Sequence, residues 1–419
     1  MPGDGTKLDT TKNSIPLAPV PARLLDLTRL IRRAGRRPTG VDRVELAYLR
    51  HLSHESVPLF ALVRTTLGYV LLGPDGVMQI AARLQGAEDW GRSDLLARFT
   101  VRAEMLRRAE SDLRRFALAR ARARPRHLAR MLRRHLPDGF GYLNVGHSDL
   151  TAMTLRGVRQ GGAGRIAVLI HDAIPLDFPQ YQRPGLAEEF AAKLQRVRAH
   201  ADLVIYNSAD TRARVEHHMR AWGLLPPAVV AHLGVELPDP GDLPAGIDPT
   251  RPYFVAIGTI EPRKGHDFLL DLWEEMGEDA PGLLICGARG WNNEAVFARL
   301  DALPPGGPVR ELSGLDDAQV AAVLQQARGL LFPSRAEGYG LPPVEATALG
   351  VPVISTDLPA IREVLGNIPV YAKETDRYQW LSAIKSLETG RLAQQEAVRV
   401  ADFTPPLWED HFNLVLRLT

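Results

Sequence analysis

The chain has 419 residues, 45% apolar and 24% charged, with a formal net charge of +2 and one cysteine. These proportions exclude a disordered chain, a coiled coil and a collagen-like protein, and the lone Cys286 excludes a disulfide framework or a Cys-rich zinc module. No apolar run reaches the roughly 18 residues of a membrane span, so the expectation is a cytoplasmic protein of two or three domains.

In chain order, residues 1–20 are rich in Pro, Gly, Ser and Thr and read as a flexible lead. An N-terminal domain is expected over 21–240, its first periodic segment running from Arg23 to Ile31. Residues 101–135 hold twelve arginines against three acidic residues, a local balance of +9. Val101, Met105, Leu106, Leu113, Phe116 and Leu128 recur at spacings near three and four, which predicts a basic helix over 101–124 that Pro125 ends or kinks. Such a stripe suits either a solvated face or peripheral contact with an anionic membrane. No recognition motif or aromatic interleaving accompanies it, so nucleic acid is not an expected partner.

Beyond this, strands alternate with helical patterns. Short buried strands are predicted at 165–170, 203–206 and 229–231. A Pro/Gly/Asp-rich linker follows over 238–249. A second series comes at 253–257, 282–286, 329–332 and 351–355. Two such runs imply two parallel-sheet α/β domains, the second over 241–400, with ligands at the carboxyl ends of the strands. A C-terminal helix is expected over 401–419, placed against the N-terminal domain.

Two segments after predicted strands carry chemistry. Beyond Phe332, a loop holds Glu337, Gly338 and Gly340, and Pro342 and Pro343 suit the first turn of a helix that would include Glu345. A helix N-terminus approached through glycines suits a phosphate, and two carboxylates can accept hydrogen bonds from sugar or ribose hydroxyls. The second segment runs from Gly258 through Thr259 to Arg263, Lys264 and Gly265. Its adjacent cations at a helix entrance could neutralise a leaving diphosphate. His171-Asp172 also ends a strand facing the expected cleft. Asn144 to His147 reads equally as an ordinary loop or as part of an acceptor site. No Asp-x-Asp, Walker A segment or His-Glu-x-x-His is present, so no metal site is expected.

Taken together, these segments resemble the GT-B fold retaining glycosyltransferases of the group 1, or GT4, family. The resemblance rests on Glu337-x7-Glu345 and on Gly258…Arg263-Lys264-Gly265. It is supported by the segment Gly287 to Trp291, by Leu312 to Asp317, by His171-Asp172 and by Asn207-Ser208. It covers about residues 165–365, and is weaker before 160, where Pro38 to Arg43 carries it. It implies an α/β GT-B fold of two Rossmann-like domains about a central cleft. It further implies a metal-independent transfer of a hexose from a nucleotide-diphosphate sugar, GDP-mannose or a UDP-sugar, to a glycan or lipid-linked acceptor in envelope polysaccharide synthesis, with no cofactor beyond that donor. Glu337 would bind donor-sugar hydroxyls and Glu345 the ribose. Arg263 and Lys264 would hold the diphosphate, a task assigned to Arg263 because Thr259 stands where many relatives carry Arg. Main-chain groups of Gly338, Tyr339, Gly340 and Leu341 would touch sugar and phosphate, and Gly258 would line the diphosphate. Gly287, Arg289, Gly314 and Leu315 would flank the base. His171 would touch the sugar or reacting centre, while Asp172 and the turn at Gly40 would lie on the acceptor side. The alternatives are a nucleotide-sugar epimerase or a phosphorylase on the same fold, or a non-catalytic sugar-nucleotide or polysaccharide binder.

Overall fold

The computed structural model describes residues 20–98, 102–390 and 403–419. The N-terminal sheet contains β1 (Arg23–Asp26), β2 (Leu59–Thr65), β3 (Gly68–Leu72), β4 (Ala117–Ala121), β5 (Gly141–Asn144), β6 (Arg165–Ile170), β7 (Leu203–Tyr206) and β8 (Ala228–Val230). Their spatial order is β4-β3-β2-β1-β5-β6-β7-β8. All neighbours are parallel except in the β2-β3-β4 meander, which forms one antiparallel edge. The second sheet contains β9 (Tyr253–Ile257), β10 (Gly282–Cys286), β11 (Val309–Leu312), β12 (Gly329–Phe332), β13 (Val353–Ser355) and β14 (Val370–Tyr371). It is parallel throughout, in the order β11-β10-β9-β12-β13-β14.

The central strands read as unbroken apolar runs because helices cover both faces of a parallel sheet. In β6, for example, burial does not alternate along the strand: Ile166 through Ile170 are all buried. The crossover helices bury one face each, such as Leu269, Leu272 and Trp273 in the helix His266–Met276. The result is the two-domain α/β architecture of a GT-B fold. The C-terminal helix Trp408–Val415 lies on the N-terminal domain, where the Tyr48 hydroxyl meets His411 Nε2 at 2.7 Å and Phe412 packs edge-on to the Tyr48 ring. Among the described residues no helix is long and apolar enough to cross a membrane.

The basic helix expected over 101–124 is corrected. A helix covers Glu104–Arg115, the chain turns at Phe116, and residues 117–121 form β4, paired antiparallel with β3. Val101 lies outside the described residues, as do 1–19 of the expected lead. Pro125 does not end a helix but begins one, Pro125–His135, at a position where its missing N–H costs nothing. Ala and Arg favour a helix intrinsically, but pairing with the exposed edge of the β2-β3 hairpin overrides that preference. The strand expected at 351–355 is shorter, Val353–Ser355, beginning after Pro352.

Candidate active site

The two domains meet at the turn between β12 and the helix Leu341–Ala348. Gly338 lies so close to β6's exit that an added Cβ would stand 2.0 Å from the His171 carbonyl oxygen. Only a residue without a side chain permits that approach. The Gly338 carbonyl accepts hydrogen bonds from Ser208 Oγ at 2.7 Å and Thr211 Oγ1 at 2.9 Å. The Tyr339 hydroxyl donates to the Leu233 carbonyl at 2.7 Å. Glu363, from the C-terminal domain, accepts from the Ala209 and Asp210 amides at the N-terminus of the helix Ala209–Arg220, and contacts His232 Nε2 at 2.8 Å. Sequence reasoning missed Glu363, because nothing in its own helix marks it as a partner for an amide 154 residues earlier in the chain.

At this junction the charges converge. Arg263 and Lys264 occupy a short 3-10 turn, Pro262–Lys264, after β9. Glu337 Oε1 accepts from Arg263 at 2.8 Å and from Lys264 Nζ at 2.6 Å. Arg263 also reaches Glu261 at 2.8 Å and the Ala336 carbonyl at 2.9 Å. Lys264 Nζ sits 4.8 Å from the centroid of the Phe332 ring. The lysine stem runs beside Gly258, where a Cβ would come within 3.3 Å of it and where φ is +139°, a conformation glycine adopts readily. Arg335 braces the turn from behind, donating to the Pro262 carbonyl at 2.6 Å while its own amide bonds the Arg263 carbonyl at 2.7 Å. Asp172 is within electrostatic reach of Arg263 and Glu337, and its carboxylate accepts from the Ile174 amide at 3.0 Å. A small cavity lined by Asp172, Arg214, Arg335 and Glu337 adjoins this cluster.

The electrostatics follow from burial and neighbours. Burial disfavours the Glu337 carboxylate, but Arg263 and Lys264 outweigh it, and the pKa falls below the usual range. Burial raises Glu261 and Asp172, with Arg263 opposing in both. Burial also lowers Lys264 against the pull of Glu337. Glu261 went unassigned in the sequence, although it stands two residues before Arg263 and its sign was the available signal.

Glu345 is the fifth residue of its helix, beyond the first turn, which corrects the sequence expectation; Gly340, at φ +89°, is the N-cap, and the helix begins at Leu341, one residue earlier than a Pro-led turn suggested. Leu341 supplies the only N–H in the first three helical positions, because Pro342 and Pro343 have none. Glu345 pairs with Arg43 of the N-terminal domain at 2.5 Å, and burial raises its pKa against that pairing. Arg43 lies on the helix Gly40–Ser53. The turn expected at Gly40 is instead the N-cap and first turn of that helix. Thr39 and Asp42 form a capping box, and Asp42 also takes Arg29 and Arg33 at 2.7 Å each. A Cβ on Gly40 would lie 3.7 Å from Leu341, so the N-terminal ends of two helices face one another across the junction. Both ends carry partial positive charge, an arrangement that favours an anion between them.

His171 is placed differently from expectation. Its ring is buried inside the N-terminal domain, with Nε2 at 2.7 Å from the Val145 carbonyl and the His147 ring 4.8 Å away. Burial lowers its pKa to about 4, so it is neutral at pH 7. The carbonyl of His171, not its imidazole, meets the Gly338 turn. Gly287 is a packing position, where a Cβ would stand 1.9 Å from the Gly258 carbonyl. Arg289 is not free to flank a ligand in this arrangement: Glu311 holds it at 2.7 Å and Asp301 at 2.6 Å. Gly314 and Leu315 lie in the loop between β11 and the capped helix Asp317–Gln325. Among the described residues no group of three or more His, Cys, Asp or Glu is placed to hold a metal ion.

Comparison with known proteins places this geometry. Residues 244–399 match the family model described as "Glycosyl transferases group 1". The chain is 31% identical over 215 residues to the serotype-specific mannosyltransferase WbdA of Escherichia coli, covering 47% of this chain and 26% of that protein. It is 33% identical over 138 residues to the O-antigen chain mannosyltransferase RfbU of Salmonella typhimurium, covering 32% of this chain and 38% of that one. The chain thus spans well under half the length of these curated relatives. Among solved structures, "Trehalose-6-phosphate from E. coli bound with UDP-2-fluoro glucose" superposes with a TM-score of 0.57 at 13% identity, covering 95% of this chain and 99% of that one. At such identity the likeness is one of fold.

Proposed function

We propose, from the match of residues 244–399 to the group 1 glycosyl transferase model, that the protein transfers a hexose from a nucleotide-diphosphate sugar to a hydroxyl of a glycan or lipid-linked acceptor, with retention of configuration and without a divalent metal. Mannose from GDP-mannose is the favoured donor, because the curated relatives are named mannosyltransferases. Their names likewise point to O-antigen or a similar surface polysaccharide as the product's destination.

The observation that carries this reading is the convergence of Arg263 and Lys264 on Glu337 at the turn where the domains touch. A departing diphosphate develops negative charge, and two fixed cations beside a helix N-terminus stabilise it without reorganising. With a donor bound, the cations would face the diphosphate and Glu337 would accept from sugar hydroxyls. Asp172 and the His171 carbonyl, from the opposite domain, would bound the acceptor side. Closure of the two domains would exclude water and limit hydrolysis of the donor.

The test is sugar transfer from a panel of nucleotide sugars, read as nucleotide release with an acceptor present. Lys264→Ala and Glu337→Ala are each expected to lower kcat at least ~100-fold, as loss of a preorganised charged group does, and added EDTA to leave wild-type turnover unchanged. Near-normal turnover in either variant would refute its role. Product formed from the donor alone would favour the epimerase alternative.

A further inference from the structure

A second cavity, of about 600 Å3, lies wholly in the N-terminal domain at the carboxyl edge of β1, β2 and β5. Its wall carries Arg32, Arg64, Arg102 and Tyr69, with two carboxylates, Glu110 and Asp149. Arg102 is paired with Glu110. Arg64 lies over the Tyr69 ring, 5.2 Å from its centroid, and donates to the main-chain carbonyls of Thr65 and Gly68. The Arg32 side chain forms no hydrogen bond or ion pair with any described residue. Asp149 is coupled electrostatically to both Arg32 and Arg64. Its carboxylate accepts from Thr154 Oγ1 at 2.8 Å, and burial raises its pKa against the pull of both arginines. The wall therefore keeps a surplus of positive charge beside an aromatic ring, in a volume typical of a small-molecule site.

The cavity communicates with the site already described through one loop. Asp149 lines the cavity, and two residues earlier the ring of His147 packs on His171, whose carbonyl abuts Gly338. His147 and Asp149 both hold positive φ, +58° and +54°, which side chains other than glycine rarely adopt and which proteins retain mainly at functional positions.

We propose that this cavity binds an anionic group of the acceptor, a phosphate or diphosphate ester, so that the acceptor is held by its charge at one end and presents its reacting hydroxyl toward the junction at the other. This inference rests on the transferase reading. The probe is inorganic pyrophosphate, titrated calorimetrically into Lys264→Gln protein so that the junction's own cations are weakened. Pyrophosphate is expected to bind, and adding Arg32→Gln or Arg64→Gln is expected to raise its Kd at least ~tenfold, the loss of one charge-assisted contact. Arg64 also ties down a hairpin, so Arg32→Gln, which removes no internal bond, is the decisive variant. An unchanged Kd in that variant overturns the cavity assignment. Sugar-nucleotide binding to the wild-type chain is measured alongside. Its absence would overturn the transferase reading and with it the acceptor assignment, whereas arginine-independent pyrophosphate binding would overturn the cavity alone.

Discussion

Glu337 is a carboxylate shared by two cations, and its deletion leaves Lys264 without its ion-pair partner and Arg263 with Glu261 alone. Removing one partner of a buried pair costs about 3 kcal/mol or more, mostly as the desolvation of what remains. Glu337→Ala should therefore unfold at a lower temperature than Lys264→Ala, which leaves Glu337 still paired with Arg263; the reverse order in thermal melts would show that the cluster is not a shared-carboxylate site. A different residue governs pH. Asp26 is buried, with Thr28 and Tyr142 as hydrogen-bond partners, and burial together with the nearby Asp149 pushes its pKa up to about 7. The folded state keeps that proton between about pH 4 and 7 while the unfolded chain loses it, so stability falls as pH rises through this window and levels off above it. Across roughly three pK units the effect is worth about 4 kcal/mol. Asp26→Asn cannot ionise, so its melting temperature should rise relative to wild type from about pH 4 to about pH 7, and a constant difference would contradict the shift. Glu337, Arg263 and Lys264 were legible in the sequence because charge beside glycine and proline at a strand's end is a local pattern. The inward turn of His171 was not, since its partners Val145 and His147 belong to another strand's loop.

At the scale of elements, the basic segment is the instructive case. Its helical spacing of apolar residues was real over Glu104–Arg115, but from residue 117 a period of two takes over. Leu118, Arg120, Arg122 and Arg124 are exposed while the alanines between them turn inward. Arg126, Arg130, Arg133 and Arg134 continue the basic charge on the following helix. No carboxylate occurs between residues 113 and 137. Arginine on an edge strand blocks edge-to-edge pairing, and it also suits an anionic bilayer. We expect sedimentation with phosphatidylglycerol vesicles but not with neutral ones. At about 1 kcal/mol for each arginine near an anionic surface, replacing Arg120, Arg122 and Arg124 by Gln should weaken binding roughly 100-fold. Unaltered sedimentation would leave the face merely solvated. The turn before the helix Leu341–Ala348 is the second such element. Gly338→Ala sets a Cβ against the His171 carbonyl, and should lower both the melting temperature and kcat, whereas the same change at Gly350, where nothing lies within 4 Å, should spare kcat.

Across the whole molecule, the domains are joined by contacts between residues far apart in the chain. Ser208 and Thr211 reach Gly338, Glu363 caps a helix of the other domain, and Arg43 pairs with Glu345. Arg43→Glu would set two carboxylates against each other at this junction, and should increase the radius of gyration measured by small-angle scattering; an unchanged value would mean the other contacts hold the closure alone. What the sequence by itself determined is everything that local chemistry encodes. Buried parallel strands appear as apolar runs, and the charge cluster at the domain junction appears as charges set among glycines and prolines after β9 and β12. Only the tertiary structure decided which strand Arg120 and the rest of 117–121 would join, that Glu345 is held by Arg43, and that three arginines surround a cavity behind the junction. Each of those outcomes depends on contacts between segments tens to hundreds of residues apart, and neither spacing nor composition along one stretch of chain carries the identity of a partner supplied by another.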